Sequence, residues 1–129
     1  MEHAAALARM RARRESWVDL EQDKPGLAVL LRRPAETTFP RFFQADESGQ
    51  GVSVVVGIAD VQQHVVGWRG FTEATLYGAA DGGSDVVEFA PALWAELVAD
   101  SADWSSAVSK ALAKVIADYI KSKADAAKN

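Results

Sequence analysis

The residues able to do chemistry are few and scattered. There are two histidines, His3 and His64, and no cysteine, which removes thiol nucleophiles, disulfide frameworks and Cys-ligated zinc or iron–sulfur sites. Asp60 and His64 are four residues apart, so on a helix they share a face and form a minimal metal-ligand pair. The ordinary alternative is a surface or half-buried histidine with an acidic neighbour. Glu73, Glu88 and Glu96 are candidate acid–base carboxylates, but no spacing brings two of them together. Ser101, Ser105, Ser106 and Ser109 have no histidine and orienting partner in sequence reach. The glycines at 78, 82 and 83 lack the GxGxxG order, and no Lys-Ser/Thr follows, so they make no phosphate cradle. What remains is aromatic: Trp68-Arg69-Gly70-Phe71 has the composition of an interface hot spot. The core is the competing destination for all four tryptophans, Trp17, Trp68, Trp94 and Trp104. The expectation is a non-enzymatic chain with no catalytic, cofactor or metal site.

The elements that position these residues follow from periodicity. Residues 1–15 are rich in Ala, Leu, Met and Arg and predict a helix with a thin apolar stripe, which leans on the body or on a partner. Ser16 to Glu21 alternates apolar and polar, Asp23-Lys24-Pro25-Gly26 is a turn, and Leu27 to Arg32 returns, so 16–32 predicts a β-hairpin. Pro34 ends it, and a short helix is expected to start near Pro40. Val54, Ile58, Val61 and Val65 recur at helical spacing, so Val52 to Val66 predicts one helix stopped at Gly67. Trp68 to Phe71 is then an irregular crossing, Thr72 caps a helical turn, and the Gly-rich stretch from Gly78 to Asp85 is a mobile loop. Val86 to Phe89 is an extended piece that pairs with the hairpin edge. Pro91 opens a helix to about Asp100 with Leu93, Trp94, Leu97 and Val98 inward. Ser101 caps a long amphipathic helix over 104–123, with 124–129 frayed. Trp104, Val108, Leu112, Val115 and Tyr119 mark its core side. Ile116 and Ile120 widen the stripe, and they are either a second buried row or a face for a partner helix.

The fold class is therefore α+β, one small domain: an N-terminal helix and β-hairpin, a helical and loop middle over 34–103, and a long C-terminal helix. A chain of 129 residues is one domain's worth and buries roughly two-thirds of its unfolded surface without metal or disulfide. The chain has no apolar run near the roughly 18 residues a membrane span needs. Arg9, Arg11, Arg13 and Arg14 are not followed by the apolar run of a signal peptide, so a soluble cytoplasmic protein is expected. The net charge of −4 conceals segregation. Residues 1–33 carry seven Lys/Arg and five Asp/Glu, 34–103 two and eleven, and 104–129 five and two, giving +2, −9 and +3. A pI near 5.1 argues against a nucleic-acid surface. The basic ends and the acidic middle are either separate solvated faces or complementary patches of two copies, which steer association.

The run Val65-Val66-Gly67-Trp68-Arg69-Gly70-Phe71-Thr72-Glu73, the Gly-rich gap, and Val87-Glu88-Phe89-Ala90-Pro91-Ala92-Leu93-Trp94 resemble a pattern of tail assembly chaperones of long-tailed, siphovirus-like bacteriophages. Those proteins carry a V-x-W-x-G-V/F-x-E stretch, a variable insertion, a V-P/E-F-S-P-E-L helix opening and a C-terminal amphipathic helix. Arg32-Arg33-Pro34-Ala35-Glu36 resembles the R-R-P-x-E of the family's front half. Ala90 and Ala92 stand where the family has Ser and Glu, which weakens that helix's N-cap, and residues 52–66 are richer in valine. The resemblance implies a protein that binds the tape measure protein in the bacterial host cytoplasm, self-associates, recruits tail tube subunits and is absent from the mature virion. Trp68, Arg69, Phe71, Ile116 and Ile120 are then the interface candidates. A structural virion protein at the tail or head–tail junction is the alternative.

Overall fold

The computed structural model describes residues 2–20 and 24–128. The hairpin is present: β1 (Glu15–Asp19) and β2 (Ala28–Arg32) pair antiparallel, with Glu15 opposite Arg32 and Asp19 opposite Ala28. Part of its turn, Glu21 to Asp23, lies outside the described residues. On the described side Leu20 N–H donates to the Leu27 carbonyl at 2.9 Å and Gly26 takes φ +80°, which glycine alone adopts cheaply. The uninterrupted apolar run of β2 has its cause in position. It is the central strand of a three-stranded sheet, covered on both edges, and Ala28, Val29 and Leu31 are buried.

The third strand, β5 (Val65–Arg69), comes from the region where the helical spacing of valines predicts one helix over Val52 to Val66. That expectation is corrected. Val52–Val54 is a strand, β4, paired with β3 (Phe43–Ala45) in a second, two-stranded hairpin. Only α2 (Ile58–His64) is helical. Two local causes outweigh the spacing. Asp46 closes the β3–β4 turn by accepting from Gly51 N–H (3.2 Å) and the Ser48 hydroxyl (2.8 Å). Gly57 then starts the helix, its N–H donating to Asp60 at 3.0 Å. After His64 the β-branched pair Val65-Val66 turns at once into the ladder, so Gly67 is a mid-strand residue opposite Leu30, at a bulge, rather than a helix stop.

Other boundaries move for similar reasons. The helix expected near Pro40 is a 3-10 helix over Glu36–Phe42 that contains Pro40. It starts after Pro34, and Thr38 N–H and its hydroxyl both donate to the Ala35 carbonyl at 2.9 and 2.7 Å. Val86 to Phe89 does not reach the hairpin edge. Val86 bridges to Thr72, and Val87 N–H donates to the Phe71 carbonyl at 3.0 Å. The chain from Gly78 to Asp85 is tied to α3 (Glu73–Tyr77) rather than loose: Gly83 N–H donates to the Glu73 carboxylate, Ala74 N–H to the Gly83 carbonyl and Glu73 N–H to the Asp85 carbonyl, at 3.0–3.1 Å. Gly82 passes so close to Glu73 that an added Cβ would lie 2.5 Å from its backbone.

The other helices form as expected. α1 spans His3–Ala12 and buries none of its residues. α4 spans Pro91–Asp100 with Pro91 in the first turn. α5 runs from Ala102 to Lys128, 27 residues or about 40 Å, so the tail expected to fray stays helical, in keeping with its alanines. Ser101 Oγ accepts from Trp104 N–H at its start. Helices α2, α4 and α5 pack together and against the sheet around Val29, Leu31, Val61, Trp94, Val108 and Leu112. This α+β domain has two small antiparallel sheets, and the second of them stands where a loop and the start of one long helix were expected.

Candidate interaction surfaces

The aromatic residues divide by their place in the sheet. Trp68 is an inward residue of β5, and Phe71 follows the turn made by Gly70 at φ +87°. Their rings stack with centroids 4.3 Å apart and planes 3° from parallel. Phe71 also meets Trp104 at 5.2 Å, and Trp104 meets Trp94 edge-on at 6.0 Å. Two of the buried indoles find backbone acceptors, Trp68 N–H at Val87 O (2.7 Å) and Trp94 N–H at Val61 O (2.9 Å). Trp68 and Phe71 are therefore core side chains. The irregular crossing expected at 68–71 is in fact a strand end and a tight turn. Arg69, the outward residue between them, is exposed. It lies over the Trp17 ring at 4.6 Å and 3.6 Å from Asp19, an exposed pair of small energetic worth.

The two isoleucines of α5 part in the same way. Ile116 is fully buried and belongs to the core row with Val108 and Leu112. Ile120, one turn on, is 37% exposed. It lines an open apolar groove of about 380 Å³ with Ala117 from α5 and Phe43, Val52 and Val54 from the β3–β4 hairpin. Three of those five residues were not legible as a surface, because reading 52–66 as one helix hides the hairpin. The signal for it was present: a polar turn, Asp46 to Gly51, between two short runs of β-forming residues. Helix α5 is pinned beside the groove. Glu36 pairs with Lys123 and accepts from the Tyr119 hydroxyl at 3.3 Å, and the Arg33 guanidinium sits 3.9 Å from the Tyr119 ring centroid.

A second concavity, about 280 Å³, is walled by Arg14, Arg32, Arg41, Thr38, Gln63 and His64. No sequence spacing announces it, since its residues come from the turn after α1, from β2, the 3-10 helix and α2. Arg32 donates through Nε and Nη2 to Glu15 at 2.9 and 2.7 Å, and Arg41 pairs with Asp60. Arg14 donates to the Arg33 carbonyl at 3.3 Å and has no carboxylate partner among the described residues. Burial pushes the His64 imidazole below its ordinary pKa, and the nearby Arg41 and Arg14 act in the same direction, against Asp60 and a bond to the Arg32 backbone. His64 is therefore a neutral wall of this pocket at pH 7. In the Asp60–His64 pair, Asp60 is committed to Arg41 and the α2 N-terminus, and no group of three metal-ligating side chains exists among the described residues. No described helix is long and apolar enough to cross a membrane. Comparison with protein-family models, with curated proteins and with solved structures finds no match to this chain.

Proposed function

We propose that this chain is a phage tail assembly chaperone that binds the tape measure protein, self-associates and helps recruit tail tube subunits. The observation that carries the reading is the apolar groove between the β3–β4 hairpin and α5, with Ile120 at its edge. A groove of this kind suits the apolar face of a helix, and a tape measure protein is a long apolar helix in need of cover. The sequence resemblance around Val65 to Glu73 and Val87 to Trp94 supplies the identity of that helix. Charge segregation along the chain supports self-association.

Co-expression with the tape measure protein tests the reading. The chain should keep the tape measure protein in the soluble fraction, and Val52→Asp with Ile120→Asp should abolish this while α5 and the core stay folded. Solubilisation that survives the double variant refutes the groove as the binding site. Tape measure protein that stays insoluble with the unaltered chain refutes the chaperone reading. Mass spectrometry of purified virions should then find no copies of the chain; stoichiometric copies would favour the virion-protein alternative.

A further inference from the structure

We infer that the arginine-walled pocket of one copy receives the carboxylate of Asp81 from the Gly-rich loop of a second copy, making a head-to-tail contact. This rests on the self-association in the reading above and adds its two surfaces. Three guanidiniums line the pocket and two carboxylates, Glu15 and Asp60, face them, so with His64 neutral one positive charge is left over. Arg14 is the guanidinium without an acidic partner among the described residues. One carboxylate completes the balance, and a guanidinium fork accepts it with directional hydrogen bonds.

The loop has the complementary form. Asp81 is exposed, in a turn whose N–H groups at Asp81 and Gly82 both donate to the Gly78 carbonyl, at 3.2 and 2.9 Å. Glycines 78, 82 and 83 flank it, so the tip is narrow enough to enter a concave site. The ties from Gly83 and Asp85 to Glu73 and Ala74 hold the loop in place before binding, which lowers the ordering cost.

Topology makes the contact intermolecular. Arg14 precedes β1, and Arg32 and His64 lie at the sheet end where Glu15 faces Arg32 and Leu31 faces Val65. The loop is anchored at Glu73 and Ala74, just past the opposite end, where Asp19, Ala28 and Arg69 align. The two ends are separated by about 13 Å of strand, and the loop's ties prevent it from folding back. A pocket at one end and a plug at the other form a heterologous contact, which builds rings or open filaments.

The test uses the full chain at low salt in sedimentation velocity, with Arg14→Glu and Asp81→Lys alone and mixed. Each variant alone should associate at least about tenfold more weakly than the unaltered chain. An equimolar mixture should recover the association, because each altered surface then meets its complement. The His64 ring resonances should shift with concentration in the unaltered chain and not in Asp81→Lys, a change on an exposed loop that leaves the core untouched. Association that persists in both single variants, or a mixture that fails to recover it, overturns the contact while leaving self-association by another surface. An unaltered chain that is monomeric throughout overturns the contact as well, and the tape measure solubility assay then judges the chaperone reading separately.

Discussion

Truncating Ile116 and Ile120 separately should give unequal results, although the two are one helical turn apart and identical in type. Ile116 has no exposed surface and belongs to the same buried cluster as Leu112 and Val108. Ile116→Ala removes three carbons from a site with little freedom to collapse, which costs about 2–5 kcal/mol. A domain of 129 residues has an unfolding entropy of about 0.27 kcal/mol/K, so each kcal/mol lowers Tm by about 4 °C. The expected loss is therefore about 7–18 °C. Ile120, at 37% exposure, has part of its surface in water already and no closed cavity to leave behind. Ile120→Ala should cost about 1 kcal/mol or less, or at most about 4 °C. Thermal unfolding followed by far-ultraviolet circular dichroism gives both shifts, and urea unfolding gives the two free energies, provided the slope m is unchanged. Equal shifts for the two variants, or an Ile116→Ala shift under about 3 °C, would refute the packing described for α5.

Trp94→Phe keeps most of the ring contacts but leaves the buried Val61 carbonyl without its donor, and should cost about 1–3 kcal/mol in the same unfolding assay; a neutral outcome would mean that the bond at 2.9 Å contributes nothing. Gly70→Ala should destabilise by at least about 2 kcal/mol, because φ is +87° and the new Cβ would lie 2.5 Å from the Gly26 carbonyl oxygen; soluble, fully stable protein would show that this turn is wrong. Folding stability should fall as pH drops through the window just below 6.5. The folded pKa of His64 is lowered by burial, so the unfolded chain takes up the proton first, and the stability present above the unfolded value is lost as pH falls toward the folded one. Asp60, Arg41, Arg14 and the Arg32 backbone set this local field, and His64→Gln should flatten the pH profile over that window; an unchanged profile would move its origin elsewhere.

Local chemistry was enough to read the first hairpin, the Thr72 cap, the Pro91 start and the Ser101 cap. Each depends on residues within a few positions of one another: alternating side chains around a Pro-Gly turn, a hydroxyl three residues ahead of a backbone N–H, a proline where its missing N–H costs nothing. The long apolar stripe of α5 was legible for the same reason, since helical period alone places Trp104, Val108, Leu112 and Ile116 on one side. The residues 52–66 were not legible, because their valines satisfy a helical period and a strand propensity at once. The choice fell to Asp46 and Gly57, which end and begin elements, and to β2, whose free edge takes Val65 to Arg69 as a third strand. Whether Trp68 and Phe71 face a partner or the core was likewise undecidable from type and spacing. Hot spots and cores use the same aromatic residues, and only the sheet's two sides distinguish Trp68, stacked on Phe71 within, from Arg69, lying over Trp17 outside. The groove and the arginine pocket lie furthest from the sequence. Each collects side chains from separate elements, so no local pattern encodes them, and they exist only because packing brings a hairpin to α5 and three arginines to His64.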